Sequence, residues 1–166
     1  TFHISAAYHS FFGAIYETLE DHTLQNIRII NMKNLHPEED YSGGLSGMVL
    51  GKVKIKNCHL ENVEIEGGYT AGGFVGYADD DVIIEHCSVS GKGTFEDGAG
   101  FVGANDGIIR HCRTNMKCTG TNHTIGGFVY SGSGLIEKCA AAGTINLTTT
   151  SAATGGVSAF VSNVSG

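Results

Sequence analysis

An internal repeat of 27 to 29 residues is the feature that most constrains how this chain folds. A short glycine-rich segment built around one large apolar residue recurs at Leu45, Phe74, Phe101 and Phe128, and in a degraded form at Phe160. A fixed period of this length is typical of stacked architectures, in which each unit buries its apolar surface against its neighbours.

A second landmark follows the first in each repeat, an isoleucine three residues before a cysteine. The pairs are Ile55 and Cys58, Ile84 and Cys87, Ile109 and Cys112, and Ile136 and Cys139. A worn copy precedes them, in which Ile27 occupies the cysteine position. We therefore count about five and a half repeats.

Glycine makes up 25 of the 166 residues, while charged residues make up only 16%. Glycine at this density disfavours helices, and the residues between the glycines are the strand formers Val, Ile, Thr, Phe and Tyr. Each repeat is therefore interpreted as one coil of a three-sided β-solenoid with three short strands. We expect an all-β fold of about five to six coils of 27–29 residues.

These boundaries predict a single β-solenoid domain over residues 1–166. Residues 1–42 form a worn coil or cap, in which 16–24 are either a short helical turn or a longer loop. Coils follow at 43–71, 72–98, 99–125 and 126–157, and residues 158–166 begin a truncated coil. We interpret the chain as part of a longer protein with further domains.

Stacking the coils predicts three ladders of side chains inside the solenoid. Leu45, Phe74, Phe101, Phe128 and Phe160 form the first, the four isoleucines the second, and the four cysteines the third. Because the step from Ile to Cys is odd, both side chains point inward only if the chain bends between them. The residues at this bend are Asn26, Asn57, His86, His111 and Lys138. Asn and His tolerate the bridging or left-handed backbone geometry that such a corner needs.

The repeated segments Gly73-Phe74-Val75-Gly76 and Gly100-Phe101-Val102-Gly103, each followed by Ile-x-x-Cys, resemble the GLUG repeat. That repeat occurs in bacterial secreted and surface proteins, including IgA-specific metalloendopeptidases and haemagglutinin-like adhesins. The resemblance covers about residues 11–166 and implies a right-handed parallel β-helix that is extracellular or attached to the cell surface.

The cysteine and histidine series are candidate metal or redox sites. A ladder spaces its sulfurs along a line, whereas zinc needs four ligands converging on one point, so we expect buried free thiols. Cys118 lies out of register after Lys117, a position compatible with exposure. His86 and His111 should lie about 5 Å apart on neighbouring coils, either as a polar corner or as a pair of metal ligands.

The acidic run Asp79, Asp80 and Asp81 is a weak candidate for Ca²⁺, because right-handed β-helices that act on polysaccharides use clustered aspartates. The alternative is a solvated turn. No other cofactor and no catalytic residue is expected, and the sequence contains no His-Glu-x-x-His zinc-peptidase motif.

The net charge of −7 argues against a nucleic-acid partner, and no apolar run is long enough to insert into a membrane. We therefore expect a non-catalytic structural or binding module, adhesin-like, whose partner is a host glycoprotein or glycan. The alternatives are the non-catalytic region of an IgA-protease-like metallopeptidase and a glycan-active β-helix enzyme.

Overall fold

The structure is a computed structural model that describes residues 10–38, 40–121, 124–148 and 157–161. Short strands dominate these ranges, as the glycine spacing predicts. The strands are β1 (Phe12–Gln25), β2 (Arg28–Ile30), β3 (Lys33–His36), β4 (Tyr41–Gly43), β5 (Ser46–Lys56), β6 (His59–Gly67), β7 (Thr70–Gly72), β8 (Val75–Ala78), β9 (Ile83–Glu85), β10 (Ser88–Phe95), β11 (Gly98–Ala99), β12 (Val102–Asn105), β13 (Ile108–Arg110), β14 (Arg113–Gly120), β15 (Ile125–Gly126), β16 (Val129–Ser131), β17 (Leu135–Glu137), β18 (Ala140–Leu147) and β19 (Val157–Ser158).

The strands form three parallel sheets, and each sheet gains strands from successive coils. Sheet 1 contains β1, β5, β8, β9, β12, β13, β16 and β17; sheet 2 contains β2, β3, β6, β10, β14 and β18; sheet 3 contains β4, β7, β11, β15 and β19. The fold is thus an all-β parallel solenoid of about four turns. The prediction of five to six coils also counted the worn first coil and the truncated last one; β1 to β4 supply strands to all three sheets, and the last described strand, β19, belongs to sheet 3.

The segment 16–24 was expected to be a helical turn or a loop, and that expectation is wrong. It lies within β1, which pairs in parallel with β5. The register shifts between Glu17 and His22, so the extra residues are taken up as a bulge. Pairing with the edge of β5 satisfies the backbone groups of β1, and this non-local gain overrides the local sequence preference.

The predicted aromatic ladder is confirmed. The rings of Phe74 and Phe101, of Phe101 and Phe128, and of Phe128 and Phe160 are stacked, with centroids 4.8–4.9 Å apart. Leu45 begins the ladder, and its backbone N–H donates to the carbonyl of Phe74 at 2.8 Å. The first four members are completely buried, and Phe160 is partly buried at the end of the stack.

The isoleucine ladder is confirmed as well. Ile55, Ile84, Ile109 and Ile136 are direct partners on neighbouring strands of sheet 1. The glycines before the aromatic ladder allow the coils to approach one another closely. A Cβ at Gly44 would lie 2.6 Å from the carbonyl oxygen of Gly73. The repeated glycine therefore follows from coil spacing.

Candidate functional site

The corner between sheets 1 and 2 has a left-handed backbone, one of the two geometries predicted for it. All five predicted corner residues have positive φ, at 60°, 52°, 56°, 54° and 51°: Asn26, Asn57, His86, His111 and Lys138. The Asn57 side-chain amide donates to the side-chain oxygen of Asn26 at 2.7 Å, which ties the first two corners together. The corner therefore repeats in space as it does in sequence.

The cysteines just past this corner form a hydrogen-bonded thiol ladder. The backbone N–H of Cys58 donates to the sulfur of Cys87, that of Cys87 to Cys112, and that of Cys112 to Cys139, each at 3.4 Å. Each thiol in turn lies 3.2–3.4 Å from the carbonyl oxygen two residues earlier, to which it donates. The sulfur thus satisfies a backbone amide that the bend removes from the sheet pairing.

All five cysteines are free thiols, and Cys118 is not exposed. Its side chain is buried on the inner side of β14 together with Thr114 and Met116, because every second residue of this strand points inward. Burial raises the pKa of Cys118 to about 12. Cys118 is therefore a protonated thiol at neutral pH and not a reactive thiolate.

The stacked histidines match the predicted spacing but do not form a metal-binding pair. The rings of His86 and His111 lie 4.8 Å apart and only 4° from parallel. Ring nitrogens direct their lone pairs in the plane of the ring, so those of two stacked rings do not converge on one ion. His86 and His111 are a polar corner ladder. Of the other histidines in the sequence, His3, His9 and His123 lie outside the described residues.

The acidic run is divided between two roles. The hydroxyl of Tyr77 lies 3.2 Å from a carboxylate oxygen of Asp79 and 3.2 Å from one of Asp106 on the next coil, and these two oxygens are its hydrogen-bond acceptors. Asp80 and Asp81 are exposed. Within the part of the chain that the structure describes, no group of three His, Cys, Asp or Glu side chains is arranged to hold a metal ion.

Tyr77 is fixed at the centre of this arrangement. Burial and the neighbouring carboxylates of Asp79 and Asp106 raise the pKa of its hydroxyl, so Tyr77 stays a hydrogen-bond donor. Asp106 also accepts hydrogen bonds from the backbone N–H and the hydroxyl of Ser133, which lower the pKa of the Asp106 carboxyl. These bonds link the turns of three successive coils.

Asp81 contributes to a surface groove that sequence reasoning missed. The groove has a volume of about 360 Å³ and is lined by Asp21 and His22 of β1, Lys52 and Lys54 of β5, and Asp81. No basic residue is near Asp81 in sequence, but the preceding coil brings two lysines beside it. The repeat register could have revealed that these lysines lie beside Asp81, because it pairs Lys54 with Ile83, which follows Asp81 by two residues.

A buried carboxylate on the outer face of sheet 1 was also missed. Glu85 has a side chain only 6% exposed and is surrounded by three cations: Arg110 at 2.8 Å, and Lys54 and Lys56 at 3.5 Å each. Burial alone would raise the pKa of Glu85, but the hydrogen bond from Arg110 and the lysine charges outweigh it, and the pKa is lowered. Glu85 is therefore ionised and joins three coils.

A second groove lies where sheets 1 and 3 meet near the start of the solenoid. It has a volume of about 470 Å³, and its lining includes Tyr41, Met48 and the acidic residues Glu38 and Asp40. Tyr41 is 40% exposed, and its ring centroid lies 5.9 Å from that of Tyr77 on the next coil. Aromatic and acidic side chains from separate coils thus meet on one surface.

The three parallel sheets and the in-register ladders define a β-solenoid built from sequence repeats. Residues 67–94 match the family model of the GLUG motif, so this solenoid carries a GLUG motif. Searches of curated proteins and of solved structures found no match. Over the described ranges, no helix is long and apolar enough to cross a membrane.

Proposed function

We propose that this chain is a non-catalytic binding module of a large bacterial secreted or cell-surface protein, adhesin-like, that binds a glycan of a host glycoprotein. The GLUG motif in a β-solenoid supports a repeat module. The ladders fill much of the interior, and we place binding on the flanks. The flank that joins two tyrosines from neighbouring coils is the groove of Tyr41.

The observation that carries this proposal is the Tyr41–Tyr77 pair beside carboxylates. Tyrosine rings offer a large apolar face to the C–H face of a sugar at little entropic cost. The Tyr77 ring is held in place by Asp79 and Asp106, and Tyr41 is the exposed partner. Glu38 and Asp40 in the groove supply oxygens that accept hydrogen bonds from sugar hydroxyls.

A glycan array tests the proposal, with purified chain as the wild type and Tyr41→Ala as the variant. Tyr69→Ala is the matched control, because Tyr69 is 58% exposed and does not line this groove. We expect the wild type and Tyr69→Ala to bind the same glycans and Tyr41→Ala to bind them at least tenfold more weakly. Absence of glycan binding by the wild type would overturn the proposal, as would equal weakening in both variants.

A glycan-active enzyme is the second candidate, and the Asp81 groove favours it. Two carboxylates, an imidazole and two ammonium groups line one cleft, and such groups are the acids and bases of glycan cleavage. A reducing-end assay on a polysaccharide panel tests this candidate. Activity that Asp81→Asn abolishes would support an enzyme over a binding module, whereas activity in neither chain removes this candidate.

A further inference from the structure

The outer face of sheet 2 carries positive charge, although the chain as a whole has a net charge of −7. Its six strands contain five basic and three acidic residues, so the sheet has a net charge of +2. The acidic residues all lie on β6, and β10, β14 and β18 contain Lys92, Arg113 and Lys117 with no acidic residue. The part of the sheet nearer the C-terminus is therefore basic.

The charges nearer the N-terminus of this sheet are already paired. Arg28 donates two hydrogen bonds to the carboxylate of Glu61, at 2.9 and 2.8 Å. Glu64 forms ion pairs with Lys33 at 2.9 Å and with Lys92 at 2.6 Å. Among the described residues, no hydrogen bond or ion pair engages the side chains of Arg113 or Lys117.

A groove of about 430 Å³ surrounds Arg113, a volume typical of small-ligand sites. The polar side chains in it include Ser88, Ser90 and Asn115. Beside the groove the preceding strand is irregular: Gly91 has a φ of +145°, and the pairing of β10 with β6 shifts register just before it.

The next coil leaves the groove open, because Ala140 and Ala142 of β18 are too small to cover it. The groove includes Glu61, whose charge is compensated by Arg28. Within the part of the chain that the structure describes, Arg113 is therefore the charged residue of this groove that has no ion-pair partner. The hydroxyl of Ser88 is oriented by a hydrogen bond of 2.8 Å with a ring nitrogen of His59.

We infer that this groove binds an anionic oligosaccharide, with a carboxylate or sulfate group on Arg113 and sugar hydroxyls on Ser88, Ser90 and Asn115. The planar guanidinium of arginine suits such groups because it donates two parallel hydrogen bonds. Lys117 points outward from the same strand about 13 Å away and meets a second anionic group. The site lies on sheet 2 and does not depend on the proposed role of Tyr41.

Binding of three labelled probes to the full chain tests the inference: oligogalacturonate carries carboxylates, a heparin-derived oligosaccharide carries sulfates as well, and maltotriose is neutral. We expect at least one anionic probe to bind, more weakly as salt increases, and maltotriose not to bind. Arg113→Ala should weaken binding about tenfold or more, since a hydrogen-bonded charge is lost. Which anionic probe binds identifies the group that Arg113 recognises.

Three further variants separate a site from general charge attraction. Ala140→Glu places a carboxylate directly opposite Arg113 in the strand register and should block binding as effectively as Arg113→Ala. Lys56→Ala removes a positive charge from sheet 1 and should leave binding unchanged, whereas Lys117→Ala should weaken it. The inference is overturned if neither anionic probe binds, if maltotriose binds equally well, or if Lys56→Ala has the same effect as Arg113→Ala.

Discussion

The backbone N–H of Cys87 donates a hydrogen bond to the sulfur of Cys112 on the following coil, at 3.4 Å. The same bond joins Cys58 to Cys87 and Cys112 to Cys139. From Cys58 to Cys139, each coil has at this corner a small side chain that takes part in the hydrogen-bonded ladder. This ladder accounts for free cysteines in register without a metal or a disulfide.

Replacing Cys87 by Ala should lower the free energy of unfolding by about 1–3 kcal/mol, because the buried N–H of Cys58 loses its acceptor. Chemical denaturation followed by circular dichroism measures the loss. Cys139→Ala is the matched control, since Cys139 is partly exposed and water can replace its sulfur. Equal losses in the two variants would contradict the role given to the buried ladder.

The aromatic ladder should be most sensitive in its middle. Phe101→Ala removes a buried ring that stacks on both neighbours, and the expected loss of stability is about 3–5 kcal/mol. Phe160→Ala, at the partly buried end of the ladder, should cost less. Thermal and denaturant unfolding of both variants measure the difference, and a larger loss at Phe160 would be inconsistent with the stack.

Stability should fall in acid partly through Glu85. Its pKa is lower in the folded than in the unfolded chain, so its contribution is complete above the unfolded value of about 4.5 and disappears as the pH falls through the folded value. Glu85→Gln should destabilise the protein by about 1–2 kcal/mol at neutral pH and flatten this part of the pH profile.

The control for Glu85→Gln is Glu137→Gln. Glu137 is exposed, and in the strand register it lies on the other side of Arg110 from Glu85. Denaturant unfolding between neutral and acidic pH compares the two variants. A pH profile of Glu85→Gln that still parallels the wild type would show that the three cations do not stabilise the ionised carboxylate.

The ladders and corners were predictable because the repeat places them at equal positions in every coil. Ile84 and Cys87 are three residues apart and both point inward, so the chain has to bend between them. The bend occurs at His86, whose φ is positive. The right-handed winding stays a prediction from the resemblance.

Features that depend on contacts between coils were not predicted from individual segments. Residues 16–24 form a strand because β5 lies beside them. Cys118 lies on the inner face of β14 with Thr114. Because Thr114 is polar, the alternation of apolar and polar residues that would predict this burial is hard to see in the sequence. The Tyr41–Tyr77 pair, the cations around Glu85 and the Asp81 groove combine residues of different coils. Finding them needs the register as well as the repeat.

Disulfide formation between coils tests the parallel, in-register stack most directly. Thr94, Thr119 and Asn146 are consecutive partners on the outer face of β10, β14 and β18. The Cα atoms of partners on neighbouring strands lie about 4.8 Å apart, within the Cα–Cα range of disulfides. Under mild oxidation, Thr94→Cys with Thr119→Cys should form a disulfide, identified by mass spectrometry of peptides. Thr94→Cys with Asn146→Cys, two strands apart, should not. A disulfide in the second pair and none in the first would contradict the stack.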